Sequence, residues 1–162
     1  MKDIKLKGLS ADQTSDLLPP NLILLGYRGS IAHGTYVPQG DLDDKDIMGV
    51  FVGEQEHYTG FGRADHKEVK AGVWDAVSYE IKKLMRMLLK SNPNVMDLLW
   101  VDENKLVYNS VYGNLLRENR DLFVTKATYH SFTGYAYGQL KRMTSMERNG
   151  RMGDKRKMLV EK

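Results

Sequence analysis

The sequence contains no cysteine, which excludes disulfides and thiolate metal sites. Long apolar runs are also missing. The longest, residues 22–25, falls far short of the roughly 20 residues needed to span a bilayer. The opening Met1-Lys2-Asp3-Ile4-Lys5 lacks the apolar stretch of a secretory signal. A soluble, cytoplasmic protein is therefore expected. There is no internal repeat, no low-complexity tract and no segment that reads as an interdomain linker. A large excess of one charge is absent too, since 24 Lys/Arg face 21 Asp/Glu for a net +3.

What is present suits one globular domain. The 162 residues are 41% hydrophobic and 28% charged, enough to build a core and too apolar for a disordered chain. Charge is uneven along the chain. From Lys141 to Lys162, 8 Lys/Arg face 3 Asp/Glu, which leaves two readings open: a surface for RNA or another polyanion, or a solvated helical face.

Residues 10–18 read as a short helix with Ser10 as N-cap, closed by Pro19-Pro20. Residues 22–25 form a compact apolar run that suits a buried strand. A turn over 29–34 and a polar loop over 35–43 follow, and then second and third strands over 47–52 and 73–77. The intervening stretch 53–72, rich in Gly, His and charge, reads as a loop. Ile81, Leu84, Met85, Leu88 and Leu89 recur at helical spacing, with Ser78 as the expected N-cap and Glu80 in the first turn. Asn92-Pro93 starts the next helix, with Asn as cap and Pro where its missing N–H costs nothing. Phe132, Tyr135, Ala136, Leu140 and Met143 give a last helical stripe. Strands followed by helices argue an α+β fold.

The chemistry lies in Gly29-Ser30-Ile31-Ala32-His33-Gly34 and Asp44-Lys45-Asp46-Ile47-Met48-Gly49-Val50. Side chains alternate in a strand, so Asp44 and Asp46 point to one side. Two such carboxylates repel unless a cation sits between them. Oxygen ligands without His or Cys select a hard ion, Mg²⁺ or Mn²⁺. A strand that turns through Gly-Ser into a helix presents backbone N–H groups and a hydroxyl to an anion. Together the two features suit metal-assisted attack on a nucleoside triphosphate. A calcium loop counted from Asp41 fails, because position six is not Gly and position twelve is Val52. No Lys-Ser/Thr pair follows the glycines, so a P-loop fails as well. A solvated acidic loop over 41–46 is the bland alternative.

In these two motifs the chain resembles the DNA polymerase β-like nucleotidyltransferase superfamily. It is most similar to the nucleotidyltransferases associated with RNA ligases in phages and bacteria. The likeness continues through Tyr79-Glu80-Ile81-Lys82-Lys83, Asn92-Pro93-Asn94-Val95 and Gly134-Tyr135-Ala136-Tyr137-Gly138-Gln139-Leu140-Lys141. The resemblance implies a small mixed-sheet palm with helices packed on it, a single domain over 1–162. Its catalytic core would occupy about 20–100, and a helical, basic part the remainder. It implies that Gly29 and Ser30 hold the β- and γ-phosphates, and that Asp44 and Asp46 bind two Mg²⁺. A third carboxylate on an adjacent strand is expected, with Asp75 as the candidate and Glu80 in reserve. His33, Lys83, Tyr135 and Gln139 are further candidate nucleotide contacts. His33 as a turn hydrogen bond, Lys83 in solvent and Tyr135 in the core stay open beside them. The family's further helices, with a His-Leu-x-Arg-Leu stretch, have no counterpart here, so a shortened form or a fragment is expected.

The expected function is transfer of a nucleoside monophosphate from an NTP to an acceptor hydroxyl, an RNA end first. A non-catalytic nucleotide- or RNA-binding module is the alternative.

Overall fold

The protein is described by a computed structural model over residues 4–36, 45–60 and 65–148, with side chains to residue 144. The polar loop at 37–43, Asp44 and most of the basic C-terminal segment lie outside the described residues. The fold is the expected α+β arrangement. Five strands form one mixed sheet in the order β3-β4-β2-β1-β5. They are β1 (Leu22–Tyr27), β2 (Lys45–Phe51), β3 (His66–Ala71), β4 (Trp74–Glu80) and β5 (Leu106–Asn109). Pairing between β2 and β4 is parallel, and the other three pairings are antiparallel.

Both faces of the sheet are covered. On one, Leu17 and Leu18 at the end of α1 (Ala11–Leu17) pack with Leu22, Leu25, Ile47, Phe51, Trp74 and Ala76. Ser10 caps this helix in a capping box with Gln13. On the other face, Met48, Val50 and Val77 meet α4 (Ile81–Leu89) and α5 (Pro93–Trp100). Asn92 accepts a hydrogen bond from the Asn94 N–H and Pro93 sits in the first turn, as the sequence predicts. Helix α5 buries Val95, Met96, Leu98 and Leu99. At about 1.5–3 kcal/mol for each such side chain, this burial fixes the helix on the sheet.

Three expectations need correction. The stretch 53–72 is not all loop: it contains α3 (Gln55–Thr59) and the edge strand β3. Exposed and half-buried positions alternate along β3, whose composition, His-Lys-Glu-Val-Lys-Ala, conceals a strand covered on only one face. The cap of α4 is Glu80 rather than Ser78. Strand β4 runs through Glu80, and the fully buried Glu80 carboxylate accepts from the N–H groups of Lys82 and Lys83. Leu84 and Leu88 are buried as expected, but Leu89 is exposed.

The stretch after residue 100 also holds β5, which hydrogen-bonds to β1, besides α6 (Val111–Glu118) and α7 (Lys126–Arg148). The α7 stripe is not core: Phe132, Tyr135 and Leu140 are exposed. Among the described residues no helix is long and apolar enough to cross a membrane.

Gly49 in β2 has no room for a side chain. A Cβ there would lie 2.7 Å from Ser78 Oγ and 2.9 Å from a Leu22 methyl. Gly49→Ala is expected to cost about 1–3 kcal/mol, read as a lower urea midpoint with an unchanged slope.

Candidate active site

The parallel register of β2 and β4 places Asp46 directly beside Asp75. Strand alternation puts Asp46 on the same sheet face as Met48 and Val50, and Asp75 on the face of Val77, all against the helical core. The two carboxylates therefore share one face on adjacent strands, about 4.8 Å apart at the backbone. Asp75 lies opposite Lys70 of β3 in register, and Lys70 Nζ stands 2.8 Å from Asp75 Oδ2. Asp75 Oδ1 is buried and has no hydrogen-bond partner. A buried carboxylate oxygen without a donor is costly, and a bound cation would remove the cost.

The Gly29 turn meets this pair from the other side. Strand β1 ends at Tyr27, and α2 (Gly29–Ala32) starts immediately after. The Arg28 N–H donates to the backbone oxygen of Asp46 at 3.0 Å, which ties the turn to β2. Gly29 has φ +60°, and a Cβ there would stand 2.9 Å from Asp46 Oδ2. Glycine is required for both reasons, conformation and approach. The Ser30 backbone oxygen accepts from the Thr35 N–H at 2.9 Å and closes the turn.

A cleft of about 280 Å³ opens over this corner, lined by Arg28, Gly29, His33, Asp46, Met48, Asn94, Asp97 and Tyr135. His33 Nε2 lies 3.4 Å from Asp97 Oδ2. Gly29, His33, Asp46 and Tyr135, all sequence candidates, are thus gathered in one place. Ser30 is adjacent in α2, and Asp75 adjoins Asp46 through the sheet. Gln139 is half-buried one turn beyond Tyr135 and is not part of the lining. Lys83 lies in the first turn of α4, after the far end of β4, and does not line the cleft. Asp44 lies outside the described residues, and among those described no group of three potential ligands surrounds a metal position.

Sequence reasoning overlooked Arg28, Asn94 and Asp97. The signal for the last two existed. Asn94 and Asp97 stand three residues apart on a helix whose buried residues are Val95, Met96, Leu98 and Leu99. The polar pair must face away from the core.

The reserve carboxylate, Glu80, is occupied elsewhere. Tyr58 Oη donates to Glu80 Oε1 at 2.6 Å, and His57 Nε2 stands 3.4 Å from Oε2. Burial, and then the hydrogen bond to Glu80, push the Tyr58 phenol above its usual range. Glu80 therefore caps α4 and clamps α3 at the strand end remote from Asp75.

Gly29→Ala tests the close approach. Its left-handed backbone costs about 1–2 kcal/mol in any L-residue, and the new methyl must displace the Asp46 carboxylate. The expected result is a measurable fall in urea midpoint together with loss of triphosphate binding in calorimetry.

No curated protein matches the chain. The family described as RlaP, the RNA repair pathway DNA polymerase beta family, matches it over residues 2–158. With this match spanning nearly all of the sequence, and a mixed sheet whose paired aspartates stand beside a Gly-Ser turn, the chain belongs to the RNA repair pathway DNA polymerase beta family.

Proposed function

We propose that the protein transfers a nucleoside monophosphate from an NTP to an acceptor hydroxyl, with an RNA end as the acceptor. The single observation that carries this reading is the register of Asp46 with Asp75 at the mouth of the Gly29 turn, with Asp75 Oδ1 buried and unpartnered. Membership of a polymerase β family tied to RNA repair supports the same reading.

Asp46 and Asp75, joined by Asp44, would hold Mg²⁺ or Mn²⁺. The donor set fits, because all the ligands are carboxylate oxygens. Bound there, two such ions would lower the acceptor hydroxyl's pKa and neutralise charge on the triphosphate. The chain's own residues do the rest. Gly29 and Ser30 receive the β- and γ-phosphates on backbone N–H groups and the Ser30 hydroxyl. Arg28, at the mouth of the turn, adds a fixed positive charge there. Asp75, whose Oδ1 has no hydrogen-bond partner, would take the acceptor proton. A bond forms from the acceptor oxygen to the α-phosphorus as the bond from that phosphorus to the bridging oxygen breaks, and pyrophosphate leaves.

The sheet order supports an assignment of sides to nucleotide and acceptor. The phosphate turn follows β1 on one flank of Asp46, whereas β4 and β3 lie on the other. The acceptor therefore approaches over Asp75 and Lys70. The basic segment 141–162 supplies positive charge for an RNA strand.

One observation favours the alternative, a nucleotide- or RNA-binding module: Lys70 already neutralises Asp75. The two readings separate on transfer. The protein is incubated with each α-labelled NTP, Mg²⁺ or Mn²⁺, and a pool of RNA ends. Label transfer is expected in the wild type and lost in Asp46→Ala and Asp75→Ala, with circular dichroism unchanged. Metal-dependent NTP binding without transfer would establish the module instead. Lys70→Gln removes a cation from a proposed ligand, and since the Lys70 side chain is 72% exposed its effect is screened. It should tighten Mn²⁺ binding in calorimetry about two- to fivefold, the modest range of an exposed pair.

A further inference from the structure

The cleft beside the phosphate turn is built to read a nucleobase, and the geometry points to guanine. This inference rests on the nucleotidyl-transfer reading and deepens it by naming the substrate class. A triphosphate seated on Gly29 and Ser30, with its α-phosphate toward Asp46, has its nucleoside within reach of the space that Gly29 and Asp46 themselves line. That space is the cleft walled by α5 and Tyr135. Its volume, about 280 Å³, lies near the lower bound of small-ligand pockets, roughly 300 Å³.

Two α5 side chains present complementary polar groups to that space. Asn94 and Asp97 both line the cleft and stand one turn apart on the same helix face. The Asp97 carboxylate offers two acceptor oxygens, and the Asn94 amide offers two N–H donors and a carbonyl. His33 Nε2 lies 3.4 Å from Oδ2 and is near enough to orient the Asp97 carboxylate. Each carboxylate oxygen has a second lone pair for a ligand. Tyr135 contributes an aromatic ring to the same wall, a stacking platform for a planar base.

A carboxylate selects bases by the donors they carry. Guanine presents N1–H and the N2 amine side by side, one donor for each oxygen, and its O6 and N7 remain to accept from an amide. Adenine and cytosine each bring one amine to a carboxylate, and uracil brings one ring N–H. Any of these gives the Asp97 carboxylate one hydrogen bond where guanine gives two, and that difference sets the preference. Asp97 is thus a specificity-determining residue, and His33 a positioning residue that acts through it.

The test measures binding of the α,β-methylene analogues of GTP, ATP, CTP and UTP to the full chain with Mn²⁺ by calorimetry. Guanosine is expected to bind at least roughly tenfold tighter than the others, the discrimination typical of one bidentate base contact. Asp97→Asn replaces one acceptor oxygen by a donor. It should lose this preference and gain affinity for xanthosine triphosphate, whose C2 carbonyl accepts from the new amide. Damage to the fold cannot produce that gain. His33→Ala should reduce the ratio of guanosine to adenosine triphosphate affinity, a ratio that a general loss of triphosphate binding would not move.

Equal affinity for the four bases overturns guanine reading and leaves nucleotidyl transfer standing. A preference for ribose over 2′-deoxyribose that Asp97→Asn abolishes for every base assigns the carboxylate to the sugar, and also overturns it. Absence of binding by any triphosphate overturns both readings.

Discussion

The parallel pairing of β2 with β4 is the constraint on which the site depends. An antiparallel pair of these strands would place the start of one against the end of the other, and Asp46 would face Tyr79 rather than Asp75. In parallel they start together, and their second residues, Asp46 and Asp75, become neighbours on one sheet face. A parallel connection needs a crossover. Here the chain makes it through α3 and the edge strand β3, which then returns antiparallel to β4. The excursion brings Lys70 opposite Asp75. The segment that solves the topology thus also delivers a cation to the paired acids.

Electrostatic tension is confined to one end of the sheet by satisfaction at the other. Glu80 is more deeply buried than Asp46 or Asp75, yet it receives a phenol, an imidazole and two backbone N–H groups. Asp75 has one lysine and an unpaired oxygen. Burial alone therefore does not mark a functional acid in this fold. The feature that sets Asp75 apart is incomplete satisfaction, whose cost a bound cation would relieve.

This difference explains what the sequence could reveal. Strand β1, α1, α4, α5 and the core of β2 were legible because apolar periodicity and caps fixed them locally. Gly29 and Asp46 were legible because a turn and a strand start carry their own signatures. Asp75 could be nominated only by resemblance, since its partnership with Asp46 is a register between strands 29 residues apart in sequence. Strand β3 was hidden by its solvent-facing composition, and β5 by its short length. The cap of α4 was misplaced because β4 passes directly into the helix. No intervening loop exposes Ser78, which is buried in the strand as its small side chain allows.

Asp97 shows why a cleft residue escapes one-dimensional reading even when its spacing is visible. Helix α5 is fixed by its apolar side, and any polar residue on the opposite side is compatible with solvent. Whether that side meets water or substrate depends on where the Gly29 turn and α7 end up. The turn is held by the Arg28 N–H on Asp46, and α7 by the Thr128 hydroxyl, which donates to Ser91 Oγ at the α4–α5 junction. These two polar ties bring His33 and Tyr135 over α5. They convert an ordinary amphipathic helix into one wall of the cleft. The pair Asn94 and Asp97 is prepared by local sequence, but it comes to line a cleft only through contacts made by residues far away along the chain.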